Sequence, residues 1–363
     1  MNLESTIVKE VEYPELMDWS LVERFADGIP CFNQDDPKNP EWKPTPVIEL
    51  DLTSQDYGVV YVKDESDKRS NPTGTIKDRA AWELATLFRD WARSLYFRKN
   101  QVNENVGNIV VPRFSIITAG NVGRSVSNMF QGFGLPPMKL LVDASVTPER
   151  LEVLKKLYAD IYLVDLKEQL TPEKIRALTN NKDGIDITSV MSIEPNAVFY
   201  DWHVHEAFNQ APDEIFVPYG SGRLFENYLT WQQRTIRSDA NNKKDPRLKI
   251  SAGRVASMSI LGAEPVKQNS IADKLTKSFN PFVIFKDQDI SALIHLAFTG
   301  ASTGVYKVSE ERIRQAYEFL TSKGITTEPS ACAGLALYLQ RYDQDKIDPR
   351  KKILVVNTGK GIW

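Results

Sequence analysis

The chain has 363 residues, 42% hydrophobic and 10% aromatic, enough for about two domains with sizeable cores. Lys plus Arg number 45 and Asp plus Glu 48, so the net charge is −3, which argues against a general nucleic-acid binder with its basic stripe. The two cysteines, Cys31 and Cys332, give neither a disulfide framework nor a metal pair, and a reducing, cytoplasmic compartment is expected. The start, Met1-Asn2-Leu3-Glu4, shows no basic region followed by an apolar run, so no leader is expected. No run of about 18 uncharged apolar residues is present, so no membrane association is expected.

Short β-branched runs alternate with longer helical ones, the rhythm of an α/β fold with a mainly parallel sheet. In chain order, Val59–Val62 reads as a strand and Ala80–Tyr96 as a helix. Ser115–Thr118, Lys139–Val142 and Ile161–Val164 read as strands, with helices at Gly123–Phe133 and Pro148–Tyr158 between them. Ile215–Val217 is a strand before a helix at Phe225–Ile236, and Ile353–Val356 is a closing strand. Ala26–Lys43, Lys99–Asn108 and Ser238–Arg247 are polar and read as loops. No repeat and no clear linker appears, which suits two lobes that exchange chain segments.

Four segments carry chemistry. In Asn71-Pro72-Thr73-Gly74-Thr75-Ile76-Lys77-Asp78-Arg79 a Pro-Gly turn leads to a lysine at the mouth of a helix. Such a lysine can form an imine if burial or a nearby cation lowers its pKa, although a lone lysine at a helix start is more often a surface residue. Thr118-Ala119-Gly120-Asn121-Val122 and Tyr219-Gly220-Ser221-Gly222-Arg223-Leu224 each join a strand to a helix. Backbone N–H groups at such junctions suit a carboxylate or a phosphate. The second is neither a Walker loop nor a dinucleotide fingerprint, because Phe225 stands where the third glycine would be. Asn357-Thr358-Gly359-Lys360-Gly361 ends the last strand in a hydroxyl and glycines.

Each segment is weak alone, but their order and spacing resemble those of the fold-type II pyridoxal-phosphate enzymes, the tryptophan synthase β-like superfamily. Threonine synthases are the nearest type. The run N-P-T-G-T-I-K-D-R is similar to the family's Schiff-base motif; A-G-N at 119–121, G-S-G at 220–222, Glu328-Pro329-Ser330-Ala331 and T-G-K-G at 358–361 follow in the family's order. The resemblance implies a two-lobe α/β fold with parallel-rich twisted sheets flanked by helices. Residues 1–85 plus 198–363 would form the large cofactor-binding lobe and 86–197 a smaller mobile lobe, in a homodimer. It implies that Lys77 holds pyridoxal 5'-phosphate and moves protons at the substrate carbons. Asn121 would bond the ring hydroxyl. Gly220, Ser221 and Gly222, with Arg223 and Leu224 opening the helix, would cradle the phosphate. Thr358 would face the pyridine nitrogen. Thr118, Ala119, Gly120, Asn121 and Val122 would hold the substrate carboxylate.

A hydroxyl does not force ring protonation as a carboxylate would, so the implied chemistry is elimination or replacement at the β or γ carbon of a small amino-acid substrate. Cysteine synthase-like β-replacement, a serine/threonine dehydratase and a non-catalytic cofactor-binding protein are the alternatives; a colourless nucleotide binder is a further one. Three departures stand out. Arg223 stands where the phosphate turn usually has another glycine, and either helps bind the anion or points to solvent. Ala119 and Val122 replace the Ser and Thr of many relatives. Glu194 and Val198 stand where threonine synthases carry Asn and a phosphate-gripping Arg. A carboxylate about 4 Å from a phosphate costs about 4 kcal/mol at an effective dielectric of about 20, which weighs against O-phosphohomoserine. His203 and His205 form an H-x-H pair, but the run around them reads as helical, where i and i+2 diverge, so no metal site is expected. Asp64 and Glu65 read as structural.

Overall fold

The computed structural model describes residues 5–9, 44–101, 113–118, 120–166, 170–180, 185–186, 200–241, 248–266, 269–276 and 300–361. The chain divides into two compact units, one holding Lys77–Phe199 together with the N-terminal strand, the other Lys43–Ile76 and Tyr200–Gly361.

In the first unit, β1 (Thr6–Lys9), β4 (Phe114–Ile117), β5 (Met138–Asp143), β6 (Ala159–Val164) and β7 (Ile185–Asp186) form a sheet of order β1-β6-β5-β4-β7. Only β1, on an edge, runs antiparallel. The helices are α1 (Lys77–Gln101), α2 (Asn121–Gly132), α3 (Pro148–Leu154) and α4 (Pro172–Leu178). The last two each start with Pro after a threonine whose hydroxyl accepts a first-turn N–H, the expected start signal. Trp82, Ala85 and Phe88 recur along one side of α1 and are buried with Phe114, Phe130, Phe133, Met138 and Leu140. The Phe88 and Phe114 rings meet edge to face at 4.7 Å, a favoured aromatic geometry.

The second unit is built on a six-stranded sheet of order β10-β9-β8-β11-β3-β2. Its strands are β2 (Val47–Asp51), β3 (Val59–Asp64), β8 (Glu214–Pro218), β9 (Ser259–Pro265), β10 (Gly304–Val308) and β11 (Ile353–Asn357). All are parallel except the edge strand β2. Both central strands, β8 and β11, are buried along their whole length, as strands covered on two faces must be. The helices are α5 (Asp201–Phe208), α6 (Arg223–Ala240), α7 (Ala252–Ser257), α8 (Glu310–Ser322) and α9 (Ala333–Asp343). Val62, Phe216, Leu261, Leu337, Tyr338 and Val355 belong to this unit's core.

The strand and helix assignments read from sequence hold within a few residues, with three adjustments. Helix α1 starts at Lys77 itself and continues through Gln101, into the stretch read as a loop. The helix read over Pro148–Tyr158 ends at Leu154. Helix α6 continues to Ala240. The 26–43 loop lies outside the described residues.

Helix α9 lies so close to β8 that a Cβ on Gly334 would fall 2.6 Å from the carbonyl oxygen of Phe216. Gly334→Ala is therefore expected to cost about 2 kcal/mol through overpacking and to lower the melting temperature by roughly 4–8 °C. Thermal unfolding followed by circular dichroism checks this.

Candidate functional site

In a parallel sheet every strand points the same way, so β3, β11 and β8 deliver their C-terminal ends to one edge of the second unit. That edge is where open α/β sheets bind ligands. The loop after β3 is the segment that leads to Lys77. It opens with turns in which Asn71 N donates to Asp67 O and Gly74 N to Asn71 O, at 2.8 and 2.7 Å. Gly74 has φ +75°, in the left-handed region that glycine adopts without strain.

This loop is clipped to the segment leaving β11. Thr75 and Gly359 form an antiparallel bridge. Ile76 N donates to Thr358 O at 3.1 Å, and Lys360 N to Gly74 O at 3.1 Å. A Cβ on Gly359 would lie 2.2 Å from Gly74 O, and its φ is +91°, so only glycine fits. The structure thus brings N-P-T-G-T-I and T-G-K-G together. Lys77 follows Ile76 directly as the first residue of α1.

The Glu328–Ala331 segment completes the edge. Thr358 N donates to Ala331 O at 3.4 Å and Gly361 N to Glu328 Oε2 at 3.0 Å. The same carboxylate pairs with Lys274 Nζ. Cys332 follows, and burial pushes its thiol up to about 12, so it is no nucleophile at neutral pH. Asp64 is structural: its Oδ1 accepts from Ser66 N, Ser66 Oγ and Asn357 Nδ2, at 3.0, 2.7 and 2.8 Å.

After β8 the chain turns through Gly220, Ser221 and Gly222 into α6. Gly222 caps the helix at φ +79° and has no side chain to satisfy the first-turn N–H groups. A Cβ on Gly220 would sit 3.1 Å from Leu275 and 3.3 Å from Lys274 O. Small residues and a helix N-terminus make a cradle that fits a phosphate. Leu224 is buried in the first turn. Arg223 Nη1 lies 3.2 Å from Glu226 Oε2; burial raises the Glu226 carboxyl above its usual range, opposed by this guanidinium.

The first unit carries the other half of the residues read from sequence. After β4, Thr118 is buried, and its hydroxyl accepts from Gly120 N at 3.0 Å and Gly123 N at 3.1 Å. The Thr118 hydroxyl is therefore used to hold the turn and the start of α2. Gly120 (φ +129°) precedes α2, which opens with Asn121 and Val122, both half-buried. Ala119, Glu194 and Val198 lie outside the described residues.

His203 and His205 do sit on a helix, α5, and take different partners: His203 meets Glu65 and Tyr228, and His205 meets Asn209. Among the described residues no group of His, Cys, Asp and Glu could hold a metal ion. Sequence reasoning missed the Lys274–Glu328 pair and the buried cluster around Glu65, whose members are far apart in the chain.

A glycine turn that fits a phosphate and a loop that leads to a lysine, following β8 and β3 on either side of β11, suit an enzyme that uses a phosphorylated carbonyl cofactor. The comparisons with known proteins agree. The model of the pyridoxal-phosphate dependent enzyme family matches residues 38–359, and the chain belongs to that family. A comparison with curated protein sequences finds no match. Among solved structures, a pyridoxal 5'-phosphate-dependent aspartate racemase superposes with TM-score 0.61 at 14% identity, over 97% of this chain and 98% of that one. O-ureido-L-serine synthase gives 0.57 at 15% identity, over 88% and 90%. Diaminopropionate ammonia lyase from Escherichia coli gives 0.57 at 17% identity, over 99% and 94%. These likenesses show the fold-type II architecture. The cofactor is pyridoxal 5'-phosphate. Among the described residues no helix is long and apolar enough to cross a membrane.

Because Gly359 lies against Gly74 O, Gly359→Ala should push the two loops apart. We expect at least a roughly 10-fold loss of cofactor retention, the equivalent of about 1.4 kcal/mol, read by dialysis and absorbance.

Proposed function

We propose that the protein catalyses elimination or replacement at the β or γ carbon of a small amino acid, in the manner of threonine synthases. The observation that carries this is the backbone bond between Thr358 and Ile76, which puts a hydroxyl-bearing residue, not a carboxylate, beside the residue that precedes Lys77.

When bound, the cofactor supplies an electron sink for the pair released at the substrate's α carbon. The chain's own residues would divide the rest. Lys77 Nζ would tether the cofactor and move the α proton. Asn121 would bond the ring hydroxyl. The N–H groups from Gly220 to Leu224, with Arg223, would hold the phosphate. The main-chain N–H groups of residues 119, 121 and 122 would orient the substrate carboxylate, because those of Thr118 and Gly120 are bonded to Leu141 O and Thr118 Oγ1. Thr358, which carries no negative charge to stabilise a protonated ring, would leave the ring nitrogen unprotonated, which favours loss of a leaving group over proton return to the cofactor.

By the resemblance, Glu194 would repel a phosphate on the substrate and Val198 would offer it no charge, so we prefer a leaving group other than phosphate. A cysteine synthase-like replacement or a serine/threonine dehydratase is the second reading. It is favoured by solved neighbours titled O-ureido-L-serine synthase and threonine deaminase. We place the enzyme in the cytosol as a homodimer.

Borohydride treatment of the yellow protein should fix the cofactor on Lys77 in a peptide map. Lys77→Ala should lose the label and at least roughly 10³-fold in turnover. Spectra recorded with O-phosphohomoserine, O-acetylserine, O-phosphoserine, serine and threonine separate the readings. A label on another lysine defeats the assignment, and silence toward all five substrates favours a non-catalytic cofactor binder.

A further inference from the structure

Behind the lysine loop lies a buried polar cluster that none of the roles above uses. Glu65, at the end of β3, and His203, on α5, are both fully buried. His203 Nδ1 lies 2.7 Å from Glu65 Oε1, and its Nε2 lies 2.8 Å from Tyr228 Oη on α6. Glu65 Oε1 also accepts from Thr45 Oγ1 at 2.7 Å. Its Oε2 accepts from Asn71 Nδ2 at 2.7 Å, and that same amide group reaches Glu65 O at 2.8 Å. Lys63 Nζ stands 3.9 Å from Glu65 and 2.5 Å from Glu206.

The chemistry fixes the direction of these bonds. A carboxylate only accepts, so His203 carries a proton on Nδ1; with the imidazole neutral, its Nε2 accepts from the Tyr228 hydroxyl. Asn71 begins the turn that leads to Lys77, and its side-chain Nδ2 donates twice to Glu65, to the backbone carbonyl and to the carboxylate. Tyr228 lies on α6, the helix that follows Gly220-Ser221-Gly222. Buried chains of this kind rigidify what they join.

We propose that His203 is a positioning residue for the lysine loop: it holds the Glu65 carboxylate, which holds Asn71, while Tyr228 ties the same chain to the helix after the glycine turn. The importance of that loop rests on the Lys77 assignment; its rigidity does not.

Two substitutions at one position separate positioning from packing. Asn places an amide near the Nδ1 site and keeps a donor to Glu65, whereas Gln places one near the Nε2 site and keeps only the Tyr228 partner. In the cofactor-free chain, amide hydrogen exchange across 71–76 should stay within about 2-fold of the parent in His203→Asn. It should rise roughly 10-fold or more in His203→Gln, the cost of a lost bond to a buried charge. The rate at which pyridoxal 5'-phosphate becomes fixed to Lys77 by borohydride should follow the same order. Equal behaviour of the two folded variants overturns the proposal. If His203→Gln does not fold, Asn71→Ser, which cannot span to Glu65 Oε2, must show the same rise in 72–76, and no rise overturns it. If the parent chain itself fixes no cofactor on Lys77, the Lys77 assignment falls, while the exchange comparison still decides the positioning role.

Discussion

The antiparallel bridge between Thr75 and Gly359 is the contact on which the site depends. It is made of main-chain atoms, so its strength depends little on side-chain chemistry, but it demands that position 359 carry no Cβ. Through it, the segment before Lys77 takes its position from β11, a fully paired central strand. Ile76, the residue before Lys77, is thus tied to the segment that leaves a central strand of the sheet.

In each unit, polar side chains beside the turns are spent on structure. Asp64 ties the ends of β3 and β11 through Asn357. Thr118 gives its hydroxyl to two N–H groups at the start of α2. Glu328 binds the Gly361 N–H and the Lys274 ammonium. These carboxylates and hydroxyls would attract attention as acid/base groups in isolation. Their hydrogen-bond partners show instead that they hold loops in place.

The sequence showed the parallel α/β alternation and the loops that meet at the sheet edge, because strand-glycine-helix junctions leave local signatures. It did not reveal β9. Ser259–Pro265 contains Gly262 and ends in proline, which reads as a turn; the glycine is there because a Cβ would come within 3.2–3.3 Å of Tyr219, Phe225 and Val305. Nor did it reveal β10, a half-buried edge strand without clear alternation. The His203 cluster was invisible for another reason. Its hydrogen bonds join residues 138 and 25 positions apart, and no local pattern encodes a pairing that only the fold creates. Helix α1 was placed too late because its first turn, Lys77-Asp78-Arg79, is wholly charged.

The position of β11 also bears on how the chain is made. It inserts between β8 and β3, and Asn357 bonds Asp64 across 293 positions. Until β11 leaves the ribosome, the inner edge of β3, with Val60 and Val62, has no strand to pair with. At a synthesis rate of about 5–20 residues per second, that edge waits on the order of 15–60 s. An apolar unpaired edge is a template for association with other chains. The nascent polypeptide therefore carries that unpaired strand edge through most of its synthesis.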